Sequence, residues 1–576
     1  MQTRKRTVAV MLALAMLLTT AAACSSNPES SGSEDLTVET STQPTVEETS
    51  PNVTAEQTEA AASTMESAEK QIVSLPISEE TITLSYWTTV DPQLADVVTS
   101  LDQCKMWNYM AEITNIQVEG RLVAAQSGND QFALMVASGE YADLLNSPGA
   151  NYTTGLQGAL DDNVLVDLTD VVDTYMPNYA AIISSNEEYE KGVRVDDGRI
   201  GMIYGLFNED YMPTEGPVIR QDYLDELGLD TPVTYDDLHD VLTAFQENYG
   251  ATMWIPYSGS PLGNYLGAGY GIATTYLTFL SGREPFYQVD GTVKFGPMED
   301  AYYDYLVMLN QWYEEGLIWS DFYSYTEKFN APPDSGVISG QFGVWFSSYS
   351  NFQVWTDAAE DPDFHVVAFS DPVQNAGDTN HLRAESYLVT NGGIGISTSC
   401  AYVEEAAKLI DYWFSDEGRF LLTYGFEGET FEYDADGHPQ YTDLIRNNPD
   451  GLSQAAAEAL YIGGFGFCTI DDPDYIYLDQ GYTQDQIDAP YIWTATSDCD
   501  YGIPSTVSMT VEESTENSAL LSDIGTYVST WMLQAIIGDQ VLTPETFAEF
   551  RETLKGMNIE IVIANKQAAL DRYNQR

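Results

Sequence analysis

From Thr81 onward the chain alternates short strands with amphipathic helices, and this alternation limits its fold more than any other feature. Thr81 to Tyr86 alternates polar and apolar residues and then reaches Trp87-Thr88-Thr89, the pattern of a half-buried strand that ends in an aromatic loop. A helical stretch around Leu101 to Thr114 follows, then a strand from Ile116 to Leu122, a helix from Asp130 to Ala137 and a short strand from Ala142 to Leu145. Strands and helices at this spacing build βαβ units and a mainly parallel sheet. In open α/β sheets ligands sit beyond the carboxyl ends of the strands. That places Trp87 and the turn Asn146-Ser147-Pro148-Gly149 at a candidate mouth.

Val164 to Pro177 adds an acidic helix, and Asp196-Asp197-Gly198-Arg199 is a hairpin-type turn leading into Ile200 to Tyr204. A second lobe begins after Tyr204. There Val218-Ile219-Arg220 is followed by a helix from Asp222 to Leu227. Thr234 with Asp237 three residues on makes a capping box, and Leu238, Val241, Leu242 and Phe245 recur at helical spacing up to Gly250. Trp254-Ile255-Pro256 reads as a strand, Pro261 to Gly271 as a loop, and Tyr302 to Glu315 as a helix stopped by Gly316. Phe342 to Phe346 and Gly393 to Ser397 read as strands, and Ala401 to Phe414 as an amphipathic helix. The return of strand and helix after so long an interval implies that the chain crosses between lobes more than once.

The first 24 residues are of another kind. Arg4, Lys5 and Arg6 precede an apolar run from Val8 to Leu18, and Ala21-Ala22-Ala23 stands before Cys24. This is a secretory signal over 1–23, too short to span a bilayer. The cleavage point resembles the lipobox of bacterial lipoproteins, with Ala21 where that box usually has Leu. The resemblance implies lipidation of Cys24 and anchorage to the extracellular face of the cell membrane. Residues 24–75 then form an acidic Ser/Thr/Glu/Pro-rich tether with too few apolar residues to offset the entropy of ordering.

The 89 acidic and 22 basic residues, a formal net charge of -67, exclude nucleic acid as a partner, because phosphates need Lys and Arg. The same field repels polyanions and favours neutral or cationic ligands. Cys104, Cys400, Cys468 and Cys499 lack CxxC spacing and read as buried thiols or one or two disulfides, with Cys468 and Cys499 the expected pair. The histidines, His239, His365, His381 and His438, form no ligand motif, so neither a metal nor a cofactor is expected. Gly267 to Gly271 has no following Lys and is a plain loop, not a phosphate loop. Asp434-Ala435-Asp436-Gly437 lacks the rest of a calcium loop and reads as a hairpin turn, and Asp471-Asp472-Pro473-Asp474 is treated likewise.

Five stretches in order resemble the extracellular solute-binding proteins of ABC importers, particularly large Gram-positive lipoproteins serving oligosaccharide uptake. They are Val218 to Leu229 with Thr231 to Thr234, Tyr313 to Ile318, Gly340 to Val344, Asp411 to Gly418 running on to Tyr424 to Glu429, and Ala568 to Tyr573. Gln221-Asp222-Tyr223 stands where the family often has Lys-Asp-Trp. The resemblance implies an α/β, two-lobed type II periplasmic-binding-protein-like fold with a hinge and an interlobe cleft. One lobe would take 76–204 plus 383–422, the other 205–382 plus 423–576. It also implies a monomer serving ABC permease and ATPase subunits.

A cleft for sugar needs flat aromatic platforms and planar polar partners, and Trp87, Trp254 and Trp345 stand at or near expected strand ends. Trp345 resembles the aromatic after the second-lobe strand in the family. Trp493, Tyr265 and Tyr270 lie in expected loops, and Arg220, Asp222 and Glu427 are charged residues beside the lobe junctions. An oligosaccharide fits these residues; a peptide ligand, or a surface glycoside hydrolase using paired carboxylates, stays open as an alternative.

Overall fold

The computed structural model describes residues 74–576 except 93, 209–212, 256–263, 275–284, 325–331, 383–387, 436 and 472–482. The signal, Cys24 and nearly all of the tether lie outside the described residues, as do Pro256, the start of the 261–271 loop, Asp436 and Asp472 to Asp474.

Among the described residues there are thirteen strands: β1 (Ile82–Val90), β2 (Ile116–Ala124), β3 (Leu144–Asn146), β4 (Ile203–Leu206), β5 (Glu215–Arg220), β6 (Thr252–Met253), β7 (Phe286–Val289), β8 (Thr292–Phe295), β9 (Phe342–Ser348), β10 (Val366–Ala368), β11 (Val389–Ile396), β12 (Phe431–Tyr433) and β13 (Pro439–Tyr441). Two sheets carry the fold, one in the order β2-β1-β3-β11-β4 and the other in the order β10-β5-β9-β6. In the first, β1 pairs in parallel with β2 and β3, as the alternation implies. β11 enters antiparallel to both β3 and β4, because the chain returns to this sheet only after building the second. In the second sheet β5 runs antiparallel to β9 and β10, and β6 parallel to β9.

Strand limits differ from the sequence reading where both faces are covered. β1 runs on to Val90 because Tyr86, Trp87 and Thr88 are all buried, at 0, 3 and 3% exposure, so alternation fails inside the strand rather than at its end. Trp87 is therefore a core strand residue, not the start of a loop. The acidic helix expected over 164–177 is instead two, Thr169–Tyr175 and Pro177–Ile183, since Pro177 cannot continue a helix and opens the next one. The capped helix forms as read, over Tyr235–Tyr249. Thr234 Oγ1 accepts from the Asp237 N–H at 3.2 Å, and the Asp237 carboxylate accepts from the Thr234 N–H at 2.9 Å.

Two large cores lie on the two sheets. One gathers residues from Leu84 to Leu206 and from Leu388 to Leu422, and also Ala456, Ala459, Phe465, Cys468 and Ile470. The first core thus draws on residues past 422. Trp107 holds them there, stacked on Phe467 at 4.1 Å and donating to the Phe465 carbonyl at 3.1 Å. The other core runs from Val218 to Phe369 and resumes from Ala489 to Val562. No disulfide joins Cys468 to Cys499: Cys468 is buried in the first core, its thiol directed at the Ile203 carbonyl at 3.4 Å.

Asp411, on the helix Val403–Trp413, is fully enclosed and accepts from the Tyr179 N–H at 2.9 Å and from Asn178 Nδ2 at 2.8 Å. Burial pushes its carboxyl up to about 6, against the lowering effect of those hydrogen bonds. An unfolded Asp titrates near about 3.9, so between the two values the folded chain binds more protons than the unfolded one. The stability this gives is complete below about pH 4 and is lost as pH rises through the folded value. Asp411→Asn should remove that slope. Relative to the parent, its unfolding free energy should gain on the order of 3 kcal/mol between acid and neutral pH. Denaturant titrations across that range that run parallel for the two proteins would show that Asp411 does not titrate there.

Candidate functional site

The connections between lobes fix which ends of the sheets meet. β4 leaves the first sheet at its carboxyl end and leads to the amino end of β5, and β10 leaves the second at its carboxyl end and leads to the amino end of β11. The carboxyl ends of β1, β3 and β4 therefore share the crossing edge with the carboxyl ends of β6, β9 and β10. This edge, where ligands collect in open α/β sheets, is the candidate site.

Hydroxyl and amide side chains stand at two of its strand ends, those of β3 and β9. After β3, Asn146 Nδ2 donates to Tyr86 Oη at 3.1 Å, Ser147 N–H donates to the Gly393 carbonyl at 2.7 Å, and Asn151 Nδ2 donates to the Ser147 carbonyl at 2.9 Å. Ser147 sits at φ 44°, a left-handed conformation that turns the chain sharply at the strand end. At the end of β9, Ser347 Oγ accepts from Asn351 Nδ2 at 2.8 Å, and the Ser348 and Ser350 hydroxyls lie 2.9 Å apart. No Lys or Arg occurs in 146–151, 207–208 or 347–351. The sequence reading reached Asn146 and Ser147 but missed Ser348, Ser350 and Asn351. The signal available was their position directly after a strongly apolar strand.

The nine residues singled out from sequence do not converge. Trp254 follows the carboxyl end of β6, donates its backbone N–H to the Val344 carbonyl at 3.0 Å and stands at the crossing edge. It is 1% exposed, and its indole N–H has no hydrogen-bond partner among the described residues. Trp345 lies within β9, fully buried and edge-on to Trp355 at 5.5 Å, so its ring face is spent on the core. Trp87 likewise packs edge-on against Phe132 at 5.0 Å. Trp493 is not in a loop but in the helix Gln484–Thr494, fully buried beneath Tyr349.

Tyr265 belongs to the short helix Asn264–Ala268 rather than to a loop. Tyr270 is half-buried against Tyr235 at 4.8 Å and donates to Met308 Sδ at 3.3 Å, and burial raises its phenol pKa. Arg220 and Asp222 sit at the carboxyl end of β5, which is the far end of the second sheet because β5 opposes β9. Arg220 is 1% exposed and bidentate on Asp222, with Nε at 2.8 Å from Oδ1. Glu427 is exposed in the turn before β12.

The described residues bring together one set of metal-ligating types that sequence spacing did not reveal. Ligand atoms of His381, Asp498 and Asp500 lie within 4.8 Å of one another. His381 Nδ1 already faces both oxygens of Asp498, at 2.9 and 3.0 Å, and the ring lies 4.6 Å from Tyr501.

The family described as bacterial extracellular solute-binding protein matches residues 91–420. Lipoprotein LipO of Bacillus subtilis is 26% identical over 370 residues, covering 60% of this chain and 68% of its own. The fructooligosaccharide ABC transporter substrate-binding protein FusA of Streptococcus pneumoniae serotype 4 is 28% identical over 232 residues, 37% of this chain and 41% of its own. Among solved structures, an HMO-binding ABC-transporter-associated solute-binding protein from Bifidobacterium longum infantis superposes with a TM-score of 0.68 at 17% identity, over 86% of this chain and 99% of that one. At that identity the likeness is one of fold.

Proposed function

Because the chain belongs to the bacterial extracellular solute-binding protein family, we propose that it is the substrate-binding lipoprotein of an ABC importer. In this reading it captures an extracellular oligosaccharide between its two lobes and releases it chemically unchanged. The observation that carries the reading is the crossing edge itself: strand ends from both sheets present hydroxyl and amide groups there, in stretches free of Lys and Arg. Such groups pair with sugar hydroxyls and have nothing to hold a uronate or phosphate. With a net charge of -67 around it, the cargo is a neutral glycan.

Within this reading Asn146, Ser147, Ser348, Ser350 and Asn351 make the polar contacts, while Trp254, 1% exposed, backs the edge from the core. The lobes close on the glycan, Cys24 carries the lipid, and permease and ATPase subunits receive the cargo. FusA, by its name a fructooligosaccharide binder, supports the ligand class.

Thermal-shift screening against neutral oligosaccharides tests the reading. A ligand at 100 times its dissociation constant adds about 2.7 kcal/mol, a shift easily read, and chromatography afterwards should return the glycan intact. Shifts with peptides alone would move the protein to peptide uptake, and shortened sugars would make it a hydrolase.

A further inference from the structure

The helix Ile559–Tyr573 starts in the second core, where Ile559 and Val562 are buried. At Gln567 it still holds that lobe: the side chain accepts from the Val293 N–H at 2.7 Å and donates to the Gly291 carbonyl at 2.8 Å, both in the β7–β8 hairpin. A turn further on, the chain is tied to the first lobe instead. Arg572 Nε donates to one oxygen of Asp196 at 2.7 Å, and Arg576 Nη2 donates to the other at 2.7 Å. Asp196 lies in the turn leading to β4, and Arg576 also donates to the Lys191 carbonyl of the same lobe at 3.2 Å. The other edge of Arg572 meets Glu513, at 2.9 and 2.6 Å, in the first turn of the helix Val511–Ile536 of the second core. Arg572 thus joins a carboxylate of each lobe, and Asp196 takes both arginines.

A third chain segment passes through the same knot. Ser508 donates to Asp196 at 3.3 Å and accepts from Arg576 at 2.9 Å, while Ser505 donates to the Val389 carbonyl of β11 at 3.2 Å. The Arg576 side chain is 1% exposed. A guanidinium so enclosed is tolerated only while it holds its carboxylate, so this contact resists breaking when the lobes move. Both attachments also sit on one short arm, since the helix rises only about 8 Å from Gln567 to Arg572. Motion between the lobes has little leverage there.

We propose that Asp196, gripped by Arg572 and Arg576, is the positioning residue that sets the angle between the lobes, and that this knot is the pivot on which they turn. The inference rests on the reading of two lobes that close on a ligand, but its test needs no ligand. Spin labels carried by unnatural amino acids at Leu134 and Val354, exposed positions on a helix of each lobe, report the interlobe distance by electron-electron resonance in the full chain. The unsubstituted chain should give one narrow distribution. Asp196→Asn should broaden and shift it, and Asp196→Glu should bring it back toward the parent.

If Asp196→Asn does not fold, Arg572→Gln, at a side chain 29% exposed, makes the same test. A distribution that stays narrow and unmoved while only the melting temperature falls would reduce the knot to a stabilising contact and overturn the proposal. Glycan binding is scored separately. A chain that binds no sugar yet loosens at Asp196→Asn sinks the ligand reading and leaves the pivot, and the reverse result does the opposite.

Discussion

Arg220→Ala should destabilise the second lobe by about 3–5 kcal/mol, the range for removing one partner of a buried ion pair. The guanidinium is almost wholly enclosed and lies over two rings, 3.9 Å from the centroid of Tyr223 and 4.3 Å from that of Phe364. Nη1 donates to Tyr223 Oη at 3.1 Å, and the Nε and Nη2 edge closes on Asp222. Truncation leaves the Asp222 carboxylate, itself only 11% exposed, without its counter-charge and opens a gap between the rings. Arg220→Met, which refills the volume, still strands the carboxylate. Arg220→Met with Asp222→Leu removes both charges and should recover most of the loss. Denaturant midpoints for the three proteins decide this. Equal losses in the single and double variants would mean that packing, not charge, carries the site.

The same pair shows what could and could not be read beforehand. Position next to an apolar run marked Arg220 and Asp222 as lying at a lobe junction. Which end of the sheet they occupy depends on β5 running against β9, a pairing across more than a hundred residues that no local pattern encodes. Local chemistry was legible: the Thr234 and Asp237 box, the amphipathic helices, and the strand cores of β1, β2 and β9. What failed was periodicity inside strands covered on both faces. There alternation disappears, so Trp87 looked like a loop residue and Trp345 like a platform. Indole rings serve cores and sugar sites alike, and composition cannot separate the two uses. The hydroxyl and amide groups at the ends of β3 and β9 gave a weaker sequence signal than the tryptophans, yet they occupy the edge where the lobes meet.

Trp493→Ala should weaken the second lobe, which is closed on one side by a ring that needs a glycine. Trp493 Nε1 donates to the Pro217 carbonyl at 3.0 Å, and a Cβ on Gly216 would fall 2.2 Å from the indole carbons. The helix Gln484–Thr494 can thus lie against β5 only because Gly216 has no side chain. Trp493→Ala should cost about 3–5 kcal/mol through the lost burial and the cavity left behind. Trp493→Phe should cost far less. The ring mass stays, and the Pro217 carbonyl keeps the Phe369 N–H at 3.2 Å as a donor. Gly216→Ala should cost about 1–3 kcal/mol by overpacking, since a rigid indole cannot yield as a flexible chain would. Combined with Trp493→Ala, the same methyl group meets empty space, so the pair should be strongly non-additive, with the double variant about as stable as Trp493→Ala alone or slightly more so. Strict additivity across that cycle would show that the helix does not rest on β5 through this contact.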